Sequence, residues 1–117
     1  MNPTITRLAG TAPGRSRAVA YGGLVWTVAT ASEKSPSMRA QTASALEALD
    51  RNLAAAATDK RRILSATVYI ADMSRKAEMN DAWLAWVDPD HTPQRACIGA
   101  TLEGPDLVEI VVCAAAD

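Results

Sequence analysis

One segment of this chain, residues 63–71, constrains the fold most because it reads as a β-strand with apolar residues on both faces. Side chains alternate between the two faces of a strand. One face would carry Leu64, Ala66, Val68 and Ile70, and the other Ile63 and Tyr69. A strand that is apolar on both sides is usually covered on both sides. The sequence therefore predicts a helix layer over one face and, in so short a chain, another subunit over the other.

Hydrophobic periodicity and turn residues place the remaining elements. Ser35 and Pro36 suit the start of a helix, Gly22 and Gly23 suit a hairpin turn, and residues 103–106 suit a turn that pairs the last two strands as a hairpin. The other predicted strands are 4–9, 17–21, 24–30, 95–102 and 107–114. The first predicted helix spans 36–57. A second helix, capped by Asp72 or Ser74, carries an apolar stripe of Met79, Ala82, Trp83 and Trp86. The order β-β-β-α-β-α-β-β predicts one α+β domain over residues 1–117, with both helices on one face of a mixed sheet.

Composition and charge exclude several classes of protein. A chain of 117 residues that is 49% apolar and 21% charged is ordinary for one soluble domain, and a net charge of −1 gives no support to a nucleic-acid partner. Cys97, Cys113 and His91 are too few for a usual zinc site, so we expect no metal. Reduced thiols favour a cytoplasmic location. Residues 1–4 begin no signal-peptide pattern, and no apolar run approaches the ~20 residues of a membrane helix, so we expect no membrane partner.

Two charged residues interrupt the apolar pattern of the last two strands. Glu109 is the only charged residue within 107–114, and a carboxylate there is costly unless it is paired or lies at a wet site. Arg95 begins the preceding strand, and a guanidinium can bind a carboxylate through two parallel hydrogen bonds. These residues indicate either a carboxylate-binding site with a glutamate that handles water or protons, or simple ion pairs; they need not touch within one subunit.

The two tryptophans of the second helix allow two interpretations. Trp83 and Trp86 share the apolar stripe of that helix. Core packing is the simpler interpretation. The alternative is that Trp86 stacks on a bound ligand.

Several stretches resemble the RidA/YjgF family of enamine/imine deaminases. "SRAVAYGGLVWTVA" resembles the N-terminal hairpin of that family, "QTASALEALDRNL" its first helix, and "ILSATVYIADMSRKAEMNDAWLAWV" its central strand and second helix. The most specific stretch is "TPQRACIGATLEGPDLVEIVVCAAA", which is similar to the C-terminal signature. The short length, "ATVYIADM" and "AWLAWV" resemble the YoaB-like branch.

This resemblance implies a fold, an assembly and a reaction. The fold is a chorismate-mutase-like α+β unit, and three subunits join their sheets into a barrel with an active site at each interface. The reaction is hydrolysis, without a cofactor, of 2-aminoacrylate-like enamines or imines to 2-keto acids and ammonia. By the same resemblance, Arg95 binds the substrate carboxylate, Glu109 lies near the attacking water, and Cys97 lines the pocket.

The chain departs from the family pattern where the pocket wall is expected. The usual "SGQ" is replaced by Val28, Ala29 and Thr30, and the usual aromatic residue is replaced by Arg15. We therefore include Thr30 and Arg15 among the predicted substrate-binding residues. Arg15 is either a solvated surface residue or a second cation that favours a dicarboxylate.

Three alternative functions remain open from the sequence. The first is deamination of a larger dicarboxylic enamine, similar to an aminomuconate. The second is a non-catalytic trimer that binds small carboxylates. A ribonuclease is the least favoured, since the chain has no basic run.

Overall fold

A computed structural model describes residues 4–117. Residues 1–3, which belong to the N-terminal segment where no signal pattern is predicted, lie outside the described residues. Six strands and two helices follow the predicted order β-β-β-α-β-α-β-β. They are β1 (Thr6–Ala9), β2 (Ser16–Tyr21), β3 (Leu24–Thr30), α1 (Met38–Ala55), β4 (Ile63–Ile70), α2 (Lys76–Trp86), β5 (Gln94–Gly99) and β6 (Val108–Ala115). The predicted α+β class is confirmed. The largest boundary difference is in β5, which ends at Gly99 rather than at residue 102.

The six strands form one mixed sheet in the order β1-β2-β3-β6-β4-β5. The predicted hairpin between the last two strands is wrong, because β5 pairs with β4 in parallel and β6 pairs with β3 and β4. A helical crossover joins parallel strands, and α2 supplies that crossover between β4 and β5. The connection after β5 then carries the chain past β4, and β6 lies between β3 and β4.

Both helices cover the same face of this sheet, which we call the helix face. α1 packs on β3, β6 and α2. The side chains of the helix face are almost fully buried, and the largest of them are Val25, Val68, Ile70, Val108 and Ile110. From the helices, Met38, Leu46, Leu49, Leu53 and Met79 complete the core. Burial of this apolar area is the main term that stabilises the subunit.

The start of α1 lies two residues later than predicted. Ser37, not Ser35, is the N-cap, and its hydroxyl accepts a hydrogen bond from the Ala40 N–H at 3.1 Å. Ser35 instead accepts from the Ser37 N–H at 3.1 Å, so both serines order the turn into the helix. Before α2, Asp72 caps a short 3-10 turn, Met73–Arg75, that leads directly into the helix.

A bulge in β4 reverses the predicted faces at the start of that strand. Its pairing with β6 shifts between Ile63 and Ser65, and an extra residue in a strand moves the residues before it to the other face. Ile63 is therefore buried with Ala66, whereas Leu64 is 53% exposed. The assignment of Leu64 to the same face as Ala66 is wrong for this reason.

The second face of the sheet, which we call the open face, is covered by neither of the two helices described within residues 4–117. Strand register places Trp26 and Val28 of β3 beside Cys113 and Val111 of β6 on this face. Trp26 is 43% exposed and Val28 is 49% exposed. An apolar area of this kind marks an interaction surface more often than a free one. Cover by another subunit stays a prediction.

Neither helix of the described residues is long and apolar enough to cross a membrane.

Candidate functional site

Arg95 lies near the start of β5, which is an edge strand of the sheet. Its register opposite Ala66 places it on the helix face, beneath α2. The guanidinium carbon lies 5.3 Å from the ring centroid of Trp83, and Nη1 lies 3.8 Å from the sulfur of Met79. None of the ion pairs among residues 4–117 includes Arg95. The cation is therefore held by an aromatic ring and a thioether, and no carboxylate among residues 4–117 neutralises its charge.

Cys97 follows Arg95 on the same face of β5. It pairs in register with Val68, packs against the edge of the core and is a free, half-buried thiol. Arg95 and Cys97 thus lie side by side along one edge of the subunit. We call Arg95, Cys97 and Trp83 the arginine half-site.

Trp86 is engaged by its own chain. Its indole N–H donates to Asp50 Oδ2 at 3.0 Å, and Lys60 Nζ lies 5.1 Å from its ring centroid. Its ring centroid is 5.4 Å from that of Trp83, at an interplanar angle of 51°. These contacts support the packing interpretation of Trp86 over direct stacking on a ligand.

Glu109 lies on the open face, in the central strand β6. Its neighbours across the sheet are Thr30 of β3 and Tyr69 of β4. No ion pair among the described residues includes Glu109. Its carboxylate is half-buried and lines a groove.

That groove, of about 920 Å³, is lined by Glu109, Thr30 and Arg15 together with residues of α1 and of the connections around it. It opens where β2 and β3 part, because their pairing ends at Ala18 and Thr27 while β3 continues to Thr30. The structure therefore brings three sequence-predicted residues together: Arg15, Thr30 and Glu109. We call these three the glutamate half-site.

Asn52, a residue that sequence reasoning missed, holds the wall of this groove. It is 9% exposed. Its amide nitrogen donates to the Val28 carbonyl at 3.1 Å, and its Oδ1 accepts from Arg17 Nε at 2.6 Å. It thus satisfies a strand carbonyl where β2 and β3 separate and fixes the side chain of Arg17 beside the groove. A polar residue on the apolar stripe of α1 was the available signal.

Gln41, which was also missed, holds the connection between β5 and β6. This fully buried side chain donates to the carbonyls of Ser35 and Pro105 at 3.0 and 3.1 Å and accepts from the Leu107 N–H at 2.5 Å. A salt bridge from Lys34 to Asp106, at 2.6 Å, supports the same connection. These contacts place Glu103 and Asp106 at the rim of the groove.

The two half-sites do not meet within one chain. Register places Arg95 on the helix face and Glu109 on the open face, and β4 lies between their strands. Strands two apart in a sheet are separated by about 10 Å. A site that uses both side chains therefore needs a second copy of the chain.

His91, Asp72 and Asp88 are titratable groups that do not line the groove. The only histidine of the sequence, His91, is exposed in the loop before β5, where its Nδ1 lies 3.2 Å from Asp88 Oδ2. Hydrogen bonds to backbone and side-chain donors lower the pKa of Asp72 and of Asp88. Residues 4–117 hold no group of three or more His, Cys, Asp or Glu side chains placed to bind a metal ion.

The fold and the half-sites together define a class of protein: a small α+β domain with an uncovered sheet face, an arginine on an edge strand and a glutamate beside a groove. A family model described as "Endoribonuclease L-PSP" matches residues 10–116. The chain belongs to this family, which is the YjgF/RidA family predicted from the sequence.

Named relatives agree with this assignment. A RutC family protein from Haemophilus ducreyi is 42% identical over 102 residues, which are 86% of this chain and 87% of the relative. The RutC family protein YoaB from Escherichia coli is 42% identical over 76 residues, 64% of this chain and 67% of YoaB. The crystal structure of a YjgF family member from Neisseria meningitidis superposes with a TM-score of 0.91 at 38% identity, covering 97% of this chain and 96% of that one. The predicted similarity to the YoaB-like branch is confirmed.

Proposed function

We propose that the protein hydrolyses carboxylate-bearing enamines or imines to 2-keto acids and ammonia, without a cofactor, in a site completed between copies of the chain. The observation that carries this proposal is the state of Arg95. None of the ion pairs among residues 4–117 includes its cation, and it lies on an edge strand of the sheet. A half-exposed guanidinium without a carboxylate partner can bind one through two parallel hydrogen bonds, and a substrate carboxylate would supply it.

Arg95 would bind and orient the substrate. A guanidinium holds a carboxylate through two parallel hydrogen bonds, so it fixes both the position and the plane of the acid group. The C=N carbon next to that group then has a defined location. Since enamine and imine hydrolysis is intrinsically easy, positioning supplies most of the required acceleration.

Glu109 would handle the water and the protons. The enamine first gains a proton at carbon and loses one from nitrogen, which gives the imine. Water bound by Glu109 then adds to the C=N carbon, and transfer of protons to nitrogen lets the C–N bond break with release of ammonia. Cys97, beside Arg95, would line the pocket without acting as a nucleophile.

A homotrimer would bring the half-sites together. The apolar open face supports an assembly in which sheets of neighbouring copies cover one another. The arginine half-site of one copy would then face the glutamate half-site of the next. Free thiols at Cys97 and Cys113 support a reducing, cytoplasmic setting.

The test couples the protein to a pyridoxal-phosphate lyase that converts serine to 2-aminoacrylate, and measures the rate of pyruvate and ammonia release. We expect the purified protein to raise that rate. Arg95→Ala should abolish the increase, and Arg95→Lys should restore only part of it because lysine lacks the planar fork.

The oligomeric state of each variant is measured in parallel by light scattering. An inactive Arg95→Ala protein that keeps the wild-type mass supports the proposal. Wild-type protein that binds pyruvate through Arg95 but produces no rate increase would instead identify a non-catalytic carboxylate-binding oligomer.

A second candidate, deamination of a dicarboxylic enamine, is favoured by the position of Arg15. This residue lines the same groove as Glu109 and could bind a second acid group. In a substrate panel, Arg15→Ala should lower activity on dicarboxylic enamines and leave activity on 2-aminoacrylate unchanged. Equal activities of the variant and the wild type on both substrates would argue against this candidate. Ribonuclease activity, which the family model's description names, has no comparable support in this groove.

A further inference from the structure

We propose that Trp83 is a positioning residue that holds the Arg95 guanidinium ready for its carboxylate. This inference rests on the proposed function, since it concerns the same arginine. Trp83 would not touch the substrate. It would act by fixing the cation that does.

The geometry of Arg95 supports this role. With its guanidinium carbon 5.3 Å from the Trp83 ring centroid, the cation lies within the range of a cation–π interaction. Arginine has five N–H donors, and the side-chain hydrogen bonds among residues 4–117 engage one of them, with the Met79 sulfur at 3.8 Å. The Trp83 ring therefore restrains the positively charged guanidinium and leaves its other N–H donors free to bind both oxygens of a carboxylate.

The Trp83 ring that contacts Arg95 is itself held in a fixed position. Trp83 is only 6% exposed, and its ring packs on Trp86 with centroids 5.4 Å apart. Trp86 is in turn held by the hydrogen bond to Asp50 on α1 and by Lys60, which donates to the Trp86 carbonyl at 2.5 Å. Contacts from two other parts of the chain thus fix the orientation of the ring that meets Arg95.

The physical consequence is preorganisation. A free arginine side chain samples many rotamers, and binding must restrict them. A guanidinium already restrained over an aromatic face loses less freedom when the carboxylate arrives. Loss of the ring should therefore weaken carboxylate binding and raise KM more than it lowers kcat.

Three variants test this role. Trp83→Leu removes the aromatic face, and Trp83→Phe keeps a weaker one. Leu46→Ala is the matched control, because it removes buried volume from α1 in the same core and leaves the Trp83 and Met79 contacts of Arg95 in place. For each we measure the Kd of pyruvate by calorimetry and KM and kcat in the coupled assay.

We expect Trp83→Leu to raise both Kd and KM about tenfold, Trp83→Phe to raise them less, and Leu46→Ala to leave them at the wild-type values. Values for both Trp83 variants that equal those of Leu46→Ala would overturn the inference. If Trp83→Leu does not fold, Trp83→Phe decides: a rise of about threefold supports the role, and wild-type values reject it.

A ligand-free readout separates this inference from the proposed function. In the NMR spectrum of the wild-type protein, the Arg95 side-chain signals should show a ring-current shift that is lost in Trp83→Leu. Such a shift in a protein with no deaminase activity would refute the proposed function and leave the stacking intact. Deaminase activity without the shift would refute the role of Trp83 alone.

Discussion

A single amide, that of Asn52, shows how individual residues shape the groove. β2 and β3 cannot part without leaving a strand carbonyl unpaired, and a buried, unpaired carbonyl is costly. Asn52 donates to that carbonyl, at Val28, and accepts from Arg17 with the same side chain. The opening beside Glu109 is therefore stabilised by a residue on the helix rather than by the strands themselves.

Replacement of Asn52 should be costly for this reason. We expect Asn52→Ala to lower the free energy of unfolding by about 2 kcal/mol, because the Val28 carbonyl and the Arg17 Nε–H lose their partners. Urea denaturation at a fixed protein concentration measures the change. Arg51→Ala is the matched control. Within residues 4–117 the side chain of this exposed neighbour hydrogen-bonds only to Ser32, so its loss should change stability by less than about 0.5 kcal/mol. Equal effects of the two substitutions would contradict the role given to Asn52.

At this scale the sequence singled out Glu109 as an unusual residue, but it did not predict the surroundings of Arg95. Glu109 stood out because it interrupts an apolar alternation, and the structure places it in a groove with Thr30 and Arg15. The stacking of Arg95 on Trp83 was not predictable from spacing. The two residues belong to different elements, and their contact depends on where β5 lies in the sheet.

The position of β5 is the main point at which prediction failed at the level of elements. The alternation of the β6 sequence places Val108, Ile110 and Val112 on one face, and all three are buried, because a period of two is a local property of a strand. Strand partnership is not local. A turn-like segment after residue 102 suggested a hairpin, whereas the crossover through α2 requires β5 to lie parallel to β4.

The short 3-10 turn before β4, Lys60–Arg62, makes stability depend on pH. Asp59 caps this turn and accepts hydrogen bonds from the side chain and backbone of Arg61, which lower the pKa of the Asp59 carboxyl from 3.8 to about 2. Because the folded-state pKa is the lower one, the carboxylate stabilises the fold above pH 3.8 and loses this effect as the pH falls towards 2.

We therefore expect Asp59→Asn to destabilise the protein at pH 6 and to have a smaller effect at pH 2. The destabilisation at pH 6 should exceed that at pH 2 by less than about 1 kcal/mol, since the Asp59 side chain is 46% exposed and exposed ion pairs are screened by solvent. Thermal unfolding of both proteins at the two pH values measures it. A destabilisation of the same size at both pH values would show that the charge of Asp59 contributes nothing.

At the scale of the whole molecule, the open face is the surface that the predicted assembly would cover. The apolar residues on both faces of residues 63–71 predicted that two covers are needed, and one of them, the helix layer, is present. A single sequence describes only one copy, so the number of copies could be inferred from family resemblance alone. Trp26 and Val28, both about half exposed, are the residues whose surroundings an assembly would change most.

A charge on this face should therefore prevent assembly. Val28→Asp should reduce the mass measured by light scattering to that of one chain, 12.4 kDa, because an unpaired carboxylate cannot be buried in an apolar interface. Leu84→Asp is the matched control: Leu84 is 70% exposed on α2, and its replacement should leave the mass unchanged. A Val28→Asp protein with the wild-type mass would exclude the open face from the assembly.

The separation of Arg95 and Glu109 onto opposite faces of one sheet ties chemistry to concentration. If turnover uses both groups, a single chain holds only half of a catalytic site, and specific activity should fall when the protein is diluted below the dissociation constant of the proposed trimer. Enzyme activity in a cell would then depend steeply on how much of the protein is made. A cell that makes few copies would have almost no activity, rather than activity in proportion to the number of copies. Any substitution that weakens the association of the chains would then lower activity, however far it lies from the reacting atoms.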